Sequence, residues 1–213
     1  WQPTGVTPVK YLLQWGLFAN DLLAAHCLHV TENDLLTLKK YQVAVAHCPK
    51  CSAKLGMGIA PLREFLQHGL RVGLGTDSPA SNNTMDMFDE MRVGLLLQRG
   101  LTQTTQNAEA RQFVYLATYG GAQALGLEKQ IGSLEAGKEA DIIVVDVSHS
   151  HQQPLADPYS ALVFTANQED VRLTMVAGKI LYQDGNFYSL SLAEILNRAQ
   201  KVRQKLSLKL EQM

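Results

Sequence analysis

Three ionisable side chains each follow an apolar run: His26 within Leu22–Val30 (LLAAHCLHV), His47 after Val43–Ala46, and Asp77 after Leu70–Thr76 (LRVGLGT). Imidazoles and a carboxylate are donors that hold a divalent cation and orient a water on it. A carboxylate within reach of that water can also take its proton. The same residues have structural uses. A strand-end histidine commonly satisfies a hydrogen bond in the core, and an aspartate commonly forms a turn or caps a helix. For Asp77 the capping use is weakened, because the next helical pattern starts near Met85 and Thr84 is the nearer cap. Ser78, Ser81, Asn82 and Asn83 follow, a small polar loop that leaves room around the carboxylate. Phosphate binding would instead want a glycine-rich loop opening into a helix with a cation close by. No basic residue lies between Gly75 and Arg92, and Gly56-Met57-Gly58 is a weak signal.

The elements that must carry these residues are three strand-then-helix units. Leu22–Val30 is apolar on both faces, as a strand of a parallel sheet is. Thr31, with Asp34 three residues on, offers a capping box for a helix to about Tyr41. Val43–Cys48 is the second strand, and Ile59–Gly69, with Pro61 near its start and Gly69 at its end, the second helix. Leu70–Thr76 is the third strand and Met85–Gln98 the third helix, with Met87, Phe88, Met91 and Leu95 as its core stripe. Parallel strands joined by helical crossovers bring their C-terminal ends to one face, the face that carries active sites in such sheets. Helices are expected at 108–116 and 121–127, a strand at Asp141–Val147, a hairpin of Val171–Val176 with Ile180–Tyr182, and a terminal amphipathic helix at Leu192–Leu210.

Composition bounds the function. The 213 residues are 46% apolar and 18% charged, with 19 basic against 20 acidic side chains and a net charge of −1. That is enough apolar material for a sizeable core. No basic stripe speaks for nucleic acid, and no apolar run approaches the roughly 20 residues of a membrane span. Three cysteines, Cys27, Cys48 and Cys51, make no disulfide framework and suit a reducing, cytoplasmic setting. Cys48-Pro49-Lys50-Cys51 is formally a C-x-x-C, but one pair cannot make a four-ligand zinc site, and we expect it in a loop after a strand. Trp1-Gln2-Pro3-Thr4-Gly5 has no signal-peptide character and reads as the middle of a longer chain.

In order along the chain, AAHCLHVTENDLLTL, VAHCPKCSAKLGMGIAPL, VGLGTDSPASNNTMDMFDEMR, ATYGGAQALGL and IGSLEAGKEADIIVVD resemble successive blocks of the amidohydrolase superfamily. Within its cytosine deaminase/chlorohydrolase-like group, the blocks are most similar to the 5-methylthioadenosine/S-adenosylhomocysteine deaminase type.

The resemblance implies an α/β fold, the C-terminal part of a (β/α)8 barrel of TIM type followed by a small β-sandwich segment and a terminal helix. The boundaries expected are residues 1–130 for the barrel part, 131–189 for the sandwich return and 190–213 for the helix. It implies one divalent metal, zinc first, with iron or manganese as alternatives. Asp77 matches the aspartate that is both metal ligand and proton shuttle, and His26 the histidine that hydrogen-bonds the attacking water or the substrate. His47 is substrate-facing or structural, and Ser78 and Asn82 are the other substrate-facing candidates. The HxH motif that the family carries on its first strand, and the histidine and glutamate expected one βα unit ahead of His26, would fall at or before Trp1. The chain is therefore expected to be a fragment that lacks this motif and needs the missing N-terminal part of the same protein. A small-molecule substrate is expected, with no nucleic-acid or membrane partner; a homo-oligomer is compatible. The reaction implied is hydrolytic deamination of an adenine-type nucleoside: methylthioadenosine, S-adenosylhomocysteine or adenosine. The rivals are dechlorination or deamination of an s-triazine or guanine-like ring, an aminofutalosine-type deaminase, and an inactive half-barrel that binds a partner. Two family positions differ: the usual serine-asparagine reads Cys51-Ser52, and the usual glycine after the aspartate reads Ser78.

Overall fold

The computed structural model describes residues 5–19, 21–106 and 108–210. The apolar runs become a three-stranded parallel sheet of β1 (Leu23–Ala25), β2 (Ala44–His47) and β3 (Arg71–Leu74), in the order β1-β2-β3. Ala24 pairs with Val45, and Val45 with Val72. Helix α1 (Pro8–Gln14) precedes the sheet, and α2 (Glu32–Lys40) links β1 to β2. Helices α3 (Pro49–Lys54) and α4 (Leu62–Gln67) link β2 to β3, and α5 (Pro79–Asn82), α6 (Met87–Thr102), α7 (Ala110–Ala117) and α8 (Tyr119–Leu125) follow. The chain divides into two compact units: the described part of Trp1–Glu139 with Asp146–Asp170, and Ala140–Val145 with Val171–Met213.

Local signals set the helix ends. The Thr31 hydroxyl accepts from Asp34 N while Asp34 Oδ2 accepts from Thr31 N, the reciprocal capping box that the sequence predicts. On α6, Phe88, Met91 and Leu95 are buried, so the apolar stripe faces the core with Phe65, Phe113 and Leu116. Glycine permits one close approach. A Cβ on Gly73 of β3 would lie 2.7 Å from the Gly121 Cα of α8, so helix backbone rests on strand backbone there.

Several expectations need correction. The first strand ends at Ala25, not Val30, because His26 and Cys27 adopt φ of +66° and +49° and leave the extended region. The Cys48–Cys51 segment is not a loop: Pro49 occupies the first helical turn and starts α3 directly after β2. The helix expected from Ile59 begins at Leu62. Thr84 does not cap α6. The cap is Asp86, whose carboxylate accepts from Phe88 N at 2.8 Å and Asp89 N at 3.3 Å. A short helix that the sequence reading missed, α5, starts two residues after Asp77 with Ser78 as its cap.

The first unit also holds α9 (Pro158–Ser160). The second unit is an antiparallel sheet of β4 (Ile142–Val145), β5 (Val171–Val176), β6 (Lys179–Gln183) and β7 (Asn186–Phe187), in that order, with α10 (Leu192–Leu210). Between β5 and β6 the chain turns through Ala177 and Gly178, both at positive φ, the two-residue geometry that matches strand twist.

Candidate metal-binding and active site

The C-terminal ends of β1 and β3 carry His26 and Asp77, and both residues sit in the left-handed region, at φ of +66° and +60°. For residues other than glycine this conformation is strained, and such strain concentrates at functional sites. The side chains meet: His26 Nε2 lies 3.4 Å from Asp77 Oδ2, longer than a usual N–H···O hydrogen bond. They are 29% and 31% exposed, open to small molecules and anchored on the sheet.

The first turn of α3 closes on this pair. Because Pro49 starts the helix at the end of β2, Cys51 and Ser52 are carried to the same edge of the sheet as His26 and Asp77. Cys51 Sγ donates to Asp77 Oδ2 at 3.0 Å. The Ser52 hydroxyl donates to Cys48 O at 3.0 Å, and its oxygen lies 3.5 Å from His26 Nδ1. Asp77 Oδ1 is engaged separately, accepting from Ser78 N at 2.6 Å, which leaves Oδ2 as the oxygen on which sulfur and imidazole converge. The thiol of Cys51 and the backbone N–H of Ser78, in that order, hold the Asp77 carboxyl below its ordinary pKa, with smaller help from Ser81 and His26. Burial, then the bond to Asp77, pushes the Cys51 thiol up.

Among the described residues, His26, Cys51 and Asp77 form the one group of three such side chains whose ligand atoms all lie within 4.8 Å of one another. Carboxylate, imidazole and thiolate are zinc's donor types. The residues present therefore fit a divalent metal.

The other predicted residues are placed differently. His47 is 2% exposed, and its Nε2 has no hydrogen-bond partner. Burial, aided by the nearby charge of His26, lowers its pKa from 6.5 to about 4, so it is neutral at pH 7. Ser78 caps α5 through its hydroxyl and Asp77 through its N–H. Asn82 is 1% exposed, with its amide engaged inside the protein: Nδ2 donates to Thr76 O at 2.6 Å and to Glu90 Oε1, and Oδ1 accepts from Thr84.

Sequence reasoning missed three features. Glu90 is fully buried, and its Oε2 accepts from Lys50 N at 3.2 Å, so it ties the start of α3 to the Asp77 loop through Asn82. The available signal was its place on the core face of α6, three residues after Met87 and one before Met91. Cys51 and Ser52 were legible only as departures from a family pattern. The third is a correction: the chain does carry an HxH, His149-Ser150-His151. It lies after β4, not on a strand of the parallel sheet, and the two imidazoles stack with centroids 5.7 Å apart, His149 Nε2 3.7 Å from Oδ1 and His151 Nε2 3.7 Å from Oδ2 of buried Asp170.

The sequence profile of the amidohydrolase family matches residues 4–181. The chain belongs to the amidohydrolase family. It is similar, at 43% identity over 197 residues, to a 5-methylthioadenosine/S-adenosylhomocysteine deaminase of Moorella thermoacetica, covering 92% of this chain and 46% of that protein. At 41% identity over 202 residues it is similar to a 5'-deoxyadenosine deaminase of Methanosarcina mazei, covering 95% and 46%. Among solved structures, an adenosine deaminase from Xanthomonas campestris with bound zinc superposes with a TM-score of 0.92 at 32% identity, over 97% of this chain and 47% of that one. An atrazine chlorohydrolase from Arthrobacter aurescens, complexed with zinc, superposes with a TM-score of 0.86 at 27% identity, over 93% and 44%. This amidohydrolase chain thus spans about half the length of the curated relatives it matches.

Proposed function

We propose that this chain is the C-terminal part of a metal-dependent aminohydrolase that removes the 6-amino group of an adenine-type nucleoside: methylthioadenosine, S-adenosylhomocysteine, 5'-deoxyadenosine or adenosine. The observation that carries the reading is the convergence of His26 and Asp77, each in strained backbone at the end of a parallel strand, on one oxygen, Asp77 Oδ2. In this reading β1–β3 are three strands of an eight-stranded barrel, the antiparallel unit belongs to a small sandwich, and the remaining strands come from the rest of the protein.

Asp77 is the residue of this chain assigned to hold the metal, with zinc favoured by its donor set and by the zinc in the related structures. When bound, such an ion lowers the pKa of its water from about 15.7 towards about 7 and polarises the ring. Asp77 is held ionised by the Ser78 N–H and, in the metal-free site, by the Cys51 thiol, so it can accept a proton from the attacking water. His26, backed by Ser52, orients that water. A carbon–oxygen bond forms at C6 and the carbon–nitrogen bond breaks. One proton of the water passes through Asp77 to the leaving amino group, which departs as ammonia, and the other ends on the ring nitrogen of the 6-oxo product. The network of Asn82, Glu90 and Lys50 fixes the Asp77 loop from behind.

Dechlorination of an s-triazine is the rival within the family. The purine reading is favoured by identities of 43% and 41% to nucleoside deaminases, against 27% to the chlorohydrolase. The test is ammonia release by the complete protein from each nucleoside, with atrazine in parallel, before and after chelation. Chelation should stop turnover and zinc restore it, and Asp77→Asn should lower kcat at least about 10³-fold with the circular dichroism unchanged, since the amide neither takes the proton nor ligates well. Asp77→Asn activity within about tenfold of wild type contradicts the assignment.

A further inference from the structure

The three cysteines are used in different ways. Cys27 Sγ and Cys48 Sγ point at carbonyls two or three residues back along their own strands, at 3.9 Å from Ala24 O and 3.7 Å from Ala46 O. Cys51 Sγ, fully buried, points instead at a carboxylate from the segment that follows β3. The chain places the sulfur on Asp77 Oδ2, the oxygen that His26 Nε2 also faces, and one donor atom from each of the three residues lies within 4.8 Å of the other two.

We propose that Cys51 is itself a metal ligand: with Asp77 it binds a zinc-like ion as the thiolate, and His26 Nε2 is the third donor in reach, so that this chain alone holds such an ion. The inference rests on the reading of Asp77 as a metal-facing residue and adds a sulfur to its donor set. Zinc–sulfur bonds of about 2.3 Å and zinc–oxygen bonds of about 2.0–2.2 Å set sulfur and oxygen about 3.5 Å apart around a tetrahedral ion. The observed 3.0 Å has to open by only about half an ångström, within reach of side-chain rotation. On binding, the S–H bond breaks, a metal–sulfur bond forms, and one proton leaves to solvent by way of Asp77, whose side chain is 31% exposed. A thiolate also gives the site a preference for zinc and cobalt over magnesium, which wants oxygen ligands.

The test is titration of the reduced 213-residue chain with cobalt(II), read by near-ultraviolet absorption and by metal analysis. The expected result is about one cobalt per chain with a thiolate-to-cobalt charge-transfer band that zinc bleaches. Cys51→Ser, folded by circular dichroism, should lose the band and bind cobalt more than about tenfold more weakly, the lower end of what losing even an outer-shell partner costs. Cys51→Ala serves if the serine variant misfolds. Cys48→Ser should keep the band, and Asp77→Asn should lose it. Absence of cobalt binding, binding without the band, or a band that survives in Cys51→Ser overturns the proposal. A complete protein that deaminates while the chain shows no band sinks this inference alone; a band in a protein that deaminates no nucleoside sinks the functional reading alone.

Discussion

Acid should destabilise this chain through His47, by an amount its burial sets. The imidazole is 2% exposed with an unpartnered Nε2, and burial followed by the nearby charge of His26 lowers its pKa from 6.5 to about 4. Between those values the unfolded chain carries a proton on His47 and the folded chain does not. The unfolded state binds more protons, so stability falls as pH falls through this window and is unaffected above it. At about 1.4 kcal/mol per pH unit, the loss by the bottom of the window is about 3 kcal/mol. That is a large fraction of the roughly 5–15 kcal/mol that holds a domain together. Urea unfolding followed by tryptophan fluorescence, from about pH 7.5 down to about pH 4.5, measures it against His47→Gln, which cannot titrate. The stability gap between the two proteins should shift by about 2.5 kcal/mol in favour of the variant over that range as pH falls. His68, whose pKa its own backbone contact with Glu64 and its pairing with Glu32 raise, is present in both and cancels. Wild-type and variant curves that run parallel across the window would show that His47 titrates normally, and the burial argument fails with them.

Three further outcomes follow from particular contacts. His26→Ala in the complete protein should lower kcat by roughly 10²–10⁴, the range for one positioned polar group, with unchanged circular dichroism; a loss under tenfold removes His26 from the reaction. Asn82→Ala deletes the donors to Thr76 O and to the buried Glu90 carboxylate, and should cost about 2–3 kcal/mol in urea unfolding; a cost below about 0.5 kcal/mol means the network is not stabilising. Gly73→Ala drives a methyl to 2.7 Å from the Gly121 backbone and should cost about 1–3 kcal/mol or more, read as a lowered Tm, unless β3 and α8 separate freely.

What could be read from the sequence was what neighbouring residues decide among themselves. The Thr31–Asp34 capping box and the bounds of α10 appear as expected, because caps and periodicity act within a few residues. The predicted strands of the parallel sheet survived in type but not in length: β1 keeps three residues of a nine-residue apolar run. Its end is set by the backbone of His26 and Cys27 turning out of the sheet, and no local propensity encodes that turn. The site divided in the same way. His26 and Asp77 were legible because each interrupts an apolar strand. Cys51 and Ser52 were not, because their proximity to those two depends on α3 starting immediately at the end of β2.

The positive φ values at His26, Cys27 and Asp77 connect the fold to the chemistry proposed for it. Each left-handed residue other than glycine costs on the order of 1–2 kcal/mol. Glycine would remove that cost at once, yet glycine carries no ligand. A strand that simply continued would send alternate side chains to opposite faces of the sheet and keep its termini apart. The left-handed step breaks that alternation, so that two strands separated by β2 deliver His26 Nε2 and Asp77 Oδ2 to within 3.4 Å of each other. The rigidity that holds the step comes from what lies beneath it: the Gly75 N–H bonded to His47 O at 2.9 Å, the His26 N–H bonded to Ala46 O at 2.9 Å, and Asn82 holding Thr76 O at 2.6 Å. Strain at the strand ends and stability in the sheet are therefore one arrangement, in which ordinary backbone pairing keeps an unfavourable turn in place and the turn brings the imidazole of His26 to the carboxylate of Asp77.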